Sequence, residues 1–211
     1  MSKRPLIVNA LTFSRLPIIF AWLGFALYEE YAGGFWPGFF AGTALFLSGI
    51  TDLADGLLAR RWNVVTPLGK MADPLMDKAV YVVVFPSLTW LVMHQPGGEW
   101  HSLVLLGFTI LYTLRDLWVT FMRSVASLYG GDGAAMWIGK VRTALTFPTA
   151  GLIYAYVVFN AISPCWLERT LLVLCYISEA AMIGLNAFSF YSYTKAYAPY
   201  LKKALERKRE I

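Results

Sequence analysis

Apolar residues fall along this chain in runs of about 20, close to the length at which an α-helix crosses a bilayer, and short stretches of Gly, Pro and charged residues punctuate them. The pattern predicts six spans, near residues 6–28, 35–61, 67–93, 102–127, 135–161 and 168–194. All six are expected to be helical. A lone strand leaves its backbone groups unpaired in hydrocarbon, and no stretch shows the alternation, roughly ten residues long, of a membrane barrel strand. No internal repeat, low-complexity segment or long linker interrupts the runs. The expected architecture is therefore an all-α integral membrane protein, one bundle of six transmembrane helices forming a single domain over residues 1–211.

Composition agrees, because 58% apolar and 15% charged residues leave too little polar surface for a globule in water. The charge is unevenly placed. With an even number of spans both termini share one side, and that side holds Lys3, Arg4, Arg15, Arg60, Arg61, Lys70 and the cationic C-terminal tail. The opposite connections carry Glu29, Glu30, Glu99 and Glu168, with Arg169 as their basic residue. The positive-inside rule then puts both termini in the cytoplasm. It also makes the net charge of +5 topological, so no nucleic-acid partner is expected. The first span, with Arg15 inside it and no small-residue cleavage site, reads as retained and not as a signal peptide. Cys165 and Cys175 read as small apolar filler, His94 and His101 as solvated at the outer interface, and Glu179 as an isolated acid in mid-span. The tail from Ala198 to Ile211 reads either as an amphipathic turn on anionic head groups or as a solvated extension.

Candidate chemistry gathers at the second and third spans. Asp52 and Asp55 lie three residues apart and Asp73 and Asp77 four apart, so on helices each pair projects from one face about one turn apart. The short connection around Asn63 to Thr66 predicts antiparallel neighbouring helices whose carboxylates share one pocket. Four such charges in a partly dry site need a compensating cation, and all-oxygen ligands suit Mg²⁺ or Mn²⁺. Gly56 and Ala59 leave room for a ligand beside that face, Arg60 and Lys70 offer phosphate partners, and Gly69 adds a close-approach surface or eases the turn. The plainer alternative makes these acids solvated helix ends, with Asp73 capping a helix that restarts at Pro74.

The spacing Asp52-x2-Asp55-Gly56-x2-Ala59-Arg60-x8-Gly69-x3-Asp73-x3-Asp77 resembles the signature of the CDP-alcohol phosphatidyltransferase family at every position. The resemblance implies a six-helix membrane enzyme, commonly a homodimer, that takes CDP-diacylglycerol as donor. It implies that Asp52, Asp55, Asp73 and Asp77 hold a pair of divalent ions, with Asp77 also the general base. It implies further that Gly56, Ala59 and Gly69 shape a cytidine pocket and that Arg60 meets the nucleotide phosphates.

Arg115, Arg123, Lys140 and Arg142 sit at the same ends of the fourth and fifth spans and can bind a second, phosphorylated substrate. Arg115-Asp116, Gly139-Lys140-Val141-Arg142-Thr143 and Asn9-Ala10-Leu11-Thr12-x2-Arg15 are similar to segments of the bacterial phosphatidylglycerophosphate synthase branch of the family. That likeness implies glycerol 3-phosphate as acceptor and the bacterial inner membrane as location, with the active site on the cytoplasmic side. Arg142 in place of a second Lys, Met76 in place of the commoner Ala and the lack of Pro before Asn9 are departures. Phosphatidylglycerol, as in a cardiolipin synthase, inositol phosphate or serine are the rival acceptors, and a divalent-ion transporter or a purely structural membrane protein are the rival classes.

Overall fold

A computed structural model describes residues 4–64, 66–131, 136–160 and 165–206. The described chain is all helix: α1 (Arg4–Ala32), α2 (Phe35–Trp62), α3 (Pro67–Met93), α4 (Glu99–Leu128), α5 (Trp137–Asn160) and α6 (Cys165–Glu206). Each coincides with one apolar run. The largest departure is α6, which continues to Glu206, past its expected end at Thr194. Arg207, Lys208 and Arg209 of the basic tail lie outside the described residues, as does the side chain of Lys70.

Five of the six helices are long and apolar enough to cross a membrane by length and composition. The sixth, α2, has 28 residues, about 42 Å of helix at 1.5 Å per residue, but spends its last turns on Asp52, Asp55, Arg60 and Arg61. The surface supports a lipid environment. Phe35, Trp36, Phe46, Leu117 and Trp166 are exposed, whereas Arg15, Asp55, Arg115, Arg142 and Glu179 are buried, the reverse of a protein in water.

Local signals make the α2–α3 connection sharp. Asn63 closes α2 in the left-handed region at φ 52°. Its N–H donates to Arg60 O and that of Val64 donates to Ala59 O, a Schellman turn that satisfies two last-turn carbonyls. Three residues later Thr66 caps α3, its Oγ1 accepting from Gly69 N at 2.9 Å, with Pro67 in the first turn where a missing N–H costs nothing. Asp73 and Pro74 therefore lie well inside α3, and the reading of Asp73 as a cap is excluded.

The helices form a ring in the order α1, α2, α5, α6, α4, α3, with α3 also reaching α5 across the middle. The expected α2–α3 neighbourhood does not form among the described residues, because α1 packs against both and lies between them. It presents a buried stripe of Val8, Thr12, Arg15, Ile19, Trp22 and Ala26, spaced by three and four residues. Two carboxylate faces brought directly together would repel, and the stripe instead places a cation and a hydroxyl between them.

One hydrophobic core occupies the middle of the ring around Trp22, Phe85, Leu88, Phe108 and Tyr156. A second, built from Val119, Met122, Ile138, Tyr193 and Tyr197, ties the far end of α6 over α4 and α5. A further correction concerns His101, which is not solvated: it is 1% exposed, and its Nε2 lies 2.8 Å from Glu179 Oε1. Glu179 is thus paired across the α4–α6 contact, where hydrocarbon makes an unpartnered carboxylate costly.

Candidate active site

Arg15 reaches from α1 into the gap between α2 and α3 and is met by all four aspartates. Its Nη1 donates to Asp52 Oδ1 at 2.6 Å and to Asp77 Oδ1 at 2.5 Å. Its Nη2 donates to Asp55 Oδ2 at 2.6 Å and lies 3.4 Å from Asp73 Oδ1. Thr12, one turn earlier, places Oγ1 2.8 Å from Asp55 Oδ2 and 3.2 Å from Asp73 Oδ1. The carboxylates are therefore sorted across helices, Asp52 with Asp77 and Asp55 with Asp73, and not in the pairs that sequence spacing defines.

The two pairs face different spaces. Asp52 and Asp77 line a cavity of 2410 Å³ between α2, α3, α4 and α5, which also takes in Arg60, Lys78, Arg115, Arg123, Lys140 and Arg142 at one end and Glu29 and Glu30 at the other. Asp55 and Asp73 line a cavity of 50 Å³ together with Ala59, Gly69, Asn9 and Thr66. Gly56 lines neither, although a Cβ there would meet nothing closer than the Arg60 guanidinium at 3.8 Å. The Arg60 Nε donates back to Gly56 O at 3.0 Å.

The donor set fits a hard divalent cation. All four side chains offer oxygen and converge on one point, and one guanidinium neutralises one of their charges, leaving three uncompensated. Among the described residues no three His, Cys, Asp or Glu side chains stand close enough together to hold an ion as they are, since Arg15 fills the point of convergence.

On the wall of the large cavity, Asp116 organises a second, oppositely charged cluster. Its Oδ1 accepts from Arg142 Nη2 at 2.7 Å and from Arg115 Nη1 at 3.3 Å, while Oδ2 accepts from Tyr81 Oη at 2.6 Å and lies 3.4 Å from Lys78 Nζ. The two arginines are further held by α6. Arg142 Nη1 donates to Asn186 Oδ1 at 3.3 Å, Arg115 Nη2 donates to Ser189 Oγ, and the Tyr193 ring lies 5.2 Å from the Arg115 guanidinium. Arg142 also sits 4.2 Å over the Tyr112 ring, a cation–π contact. Three cations on one carboxylate leave an excess of positive charge. The buried Nε–H groups of Arg115 and Arg142 have no hydrogen-bond partner among the described residues, so the cluster retains capacity for an anion.

Comparison with known families matches residues 6–177 to CDP-alcohol phosphatidyltransferase. The chain belongs to that family. Among CDP-alcohol phosphatidyltransferases it is 37% identical over 100 residues to a protein named cardiolipin synthase (CMP-forming) of Streptomyces coelicolor, a stretch that covers 47% of this chain and 45% of that relative. It is 32% identical over 114 residues to the CDP-diacylglycerol–glycerol-3-phosphate 3-phosphatidyltransferase of Haemophilus influenzae, covering 53% and 57%. The protein of the same name from Bacillus subtilis is 36% identical over 104 residues, 49% of each chain. The chain spans about half the length of the curated relatives it matches.

The family signature does not contain Lys78, Tyr81, Asn186 or Ser189, and Thr12 and Arg15 enter only through the Asn9–Arg15 segment that is similar to one branch of the family, with no role attached. For Arg15 a signal exists in the sequence: a guanidinium in the interior of an apolar helix, three residues after Thr12, already demands buried partners. Asn186 and Ser189 carry a weaker signal, since small polar residues mark a face turned toward another helix without naming the partner they meet.

Proposed function

We propose that the chain transfers the phosphatidyl group of CDP-diacylglycerol to glycerol 3-phosphate, releasing CMP and forming phosphatidylglycerophosphate. The observation that carries this reading is the large cavity itself, which holds the carboxylates Asp52 and Asp77 and the cationic cluster of Lys78, Arg115, Arg123, Lys140 and Arg142 in one space. A donor diphosphate and a phosphorylated acceptor need these two environments side by side.

The acceptor phosphate binds Arg115 and Arg142, with Lys78, Arg123 and Lys140 around it. Asp116 holds the two guanidiniums in place and spreads their charge. The acceptor hydroxyl then points toward Asp77, on the same wall one residue before Lys78. Asp77 takes the hydroxyl proton as the oxygen attacks the lipid-side phosphorus and the bond to CMP breaks. The family resemblance assigns Gly56, Ala59 and Gly69 to the cytidine pocket, which requires the 50 Å³ cavity beside Ala59 and Gly69 to widen when the donor binds, and assigns Arg60 to a donor phosphate. Asp52, Asp55, Asp73 and Asp77 would hold two Mg²⁺ or Mn²⁺ ions, which when bound neutralise the diphosphate and the departing CMP. The uneven distribution of basic residues supports a cytoplasmic side for this end of the bundle and both termini, the bacterial relatives support an inner-membrane location, and the family resemblance supports a homodimer.

A second reading keeps the mechanism and changes the acceptor. The Streptomyces coelicolor relative is named a cardiolipin synthase, and a cavity of 2410 Å³ has room for a lipid such as phosphatidylglycerol. Purified protein with CDP-diacylglycerol and Mg²⁺, offered each acceptor in a separate tube, decides by CMP release. Release with glycerol 3-phosphate and not with phosphatidylglycerol, inositol phosphate or serine supports the first reading. Release with another acceptor overturns the assignment of the basic cluster, and no release with any of them overturns the proposed transfer.

A further inference from the structure

We infer that Arg15 is a built-in counter-cation that holds the metal-binding carboxylates together before metal arrives and competes with metal for their centre. The inference rests on the reading of the four aspartates as a metal site.

Three observations carry it. Arg15 is 1% exposed in the interior of a membrane helix, so its charge is stabilised by the carboxylates and not by water. It joins both cross-helix pairs through separate nitrogens, Nη1 to Asp52 and Asp77 and Nη2 toward Asp55 and Asp73, so one planar group stands where the four side chains converge. Arg15 engages one oxygen of each of the four carboxylates that a hard cation would draw on, and no three of the carboxylates approach one another closely enough to chelate with the guanidinium between them.

Charge makes the exchange workable. With Arg15 in place the cluster carries three uncompensated negative charges; two divalent ions without it neutralise all four. The guanidinium is thus sufficient to keep two like-charged helix faces from repelling, and insufficient to satisfy them. Displacement costs Arg15 its Nη bonds to Asp52, Asp77 and Asp55, and binding of the ions has to compensate that loss. Competition of this kind lowers apparent metal affinity by the fraction of molecules in which the centre is open, since an ion binds only that fraction.

The test is Mn²⁺ binding to the purified full-length protein in detergent without CDP-lipid, read by loss of the free-ion electron paramagnetic resonance signal, for wild type, Arg15→Met and Arg15→Lys. Arg15→Met is expected to bind Mn²⁺ about tenfold more tightly than wild type, with a lower melting temperature in chelator and a larger gain on adding metal. Arg15→Lys keeps a charge but not the fork that spans both pairs. It is expected to tighten binding by a smaller factor, which preserves the test if the methionine variant does not survive extraction. Equal or weaker binding in both variants overturns the inference and makes Arg15 a residue that orients metal ligands. Absence of Mn²⁺ binding by wild type overturns the metal reading itself, and this inference with it.

Discussion

Arg15 Nη1 and Asp77 Oδ1 lie 2.5 Å apart, joining α1 to α3, and the same nitrogen bonds Asp52 of α2 at 2.6 Å. Asp77 is therefore tied to the centre of the carboxylate cluster while its side chain, 32% exposed, remains open to the large cavity. Asp55, 3% exposed, has no such opening. Access to the large cavity thus sets Asp77 and Asp52, 32% and 29% exposed, apart from the enclosed Asp55.

Asp77→Asn is expected to lower CMP release by roughly 10²–10⁴-fold, the range of a lost general base, while CDP-diacylglycerol still binds. A steady-state assay paired with a binding titration of the donor measures both. Undiminished turnover would remove Asp77 from the role of base.

Metal removal is the second prediction. Excess EDTA should reduce CMP release to background, and added Mg²⁺ or Mn²⁺ should restore it, because three negative charges of the cluster stay uncompensated by protein groups. Full activity after exhaustive chelation would contradict a metal-assisted transfer.

Asp116→Asn should act on the acceptor and not on the donor. Without its carboxylate charge, Arg115, Arg142 and Lys78 repel one another and lose their common anchor. The KM for glycerol 3-phosphate is expected to rise about tenfold, the effect of losing roughly 1.4 kcal/mol of positioning, with the KM for CDP-diacylglycerol little changed. Equal rises in both constants would show a general structural defect instead.

His101→Leu should leave Glu179 as a buried unpaired carboxylate and lower thermal stability, by about 3 kcal/mol if the cost matches that of other broken buried pairs. The double substitution His101→Leu with Glu179→Leu removes both polar groups and should recover most of the loss. Neither change touches the cavity that holds the aspartates, so CMP release by the double variant should persist. Melting curves in detergent check the stability, and an additive loss in the double variant would show that the pair does not interact.

How much of this was legible in the sequence differs from element to element. The six helices follow from apolar runs of membrane length, because a segment in hydrocarbon must satisfy its own backbone, whatever its neighbours do. The caps at Asn63 and Thr66 are equally local, set by a residue that tolerates positive φ and by a hydroxyl at an N-terminus. Asp52, Asp55, Asp73 and Asp77 could be placed on helix faces by counting, and the basic residues at the ends of α4 and α5 could be grouped by their shared end of the bundle.

Which groups meet is a property of packing. Spacing pairs Asp52 with Asp55, yet the fold pairs Asp52 with Asp77, because each terminal nitrogen of a guanidinium on a third helix meets one aspartate from each of the two helices. His101 and Glu179, 78 positions apart, show no periodic relation that would announce a contact. The sequence by itself determined the helical membrane architecture and the inventory of charges, both of which rest on local periodicity and on the solvent. Tertiary structure alone decided the insertion of α1 between α2 and α3, the division of four carboxylates between two cavities and the gathering of three cations on Asp116. Those outcomes arise from charges on separate helices seeking partners where lipid offers none, and no local pattern along the chain encodes that search.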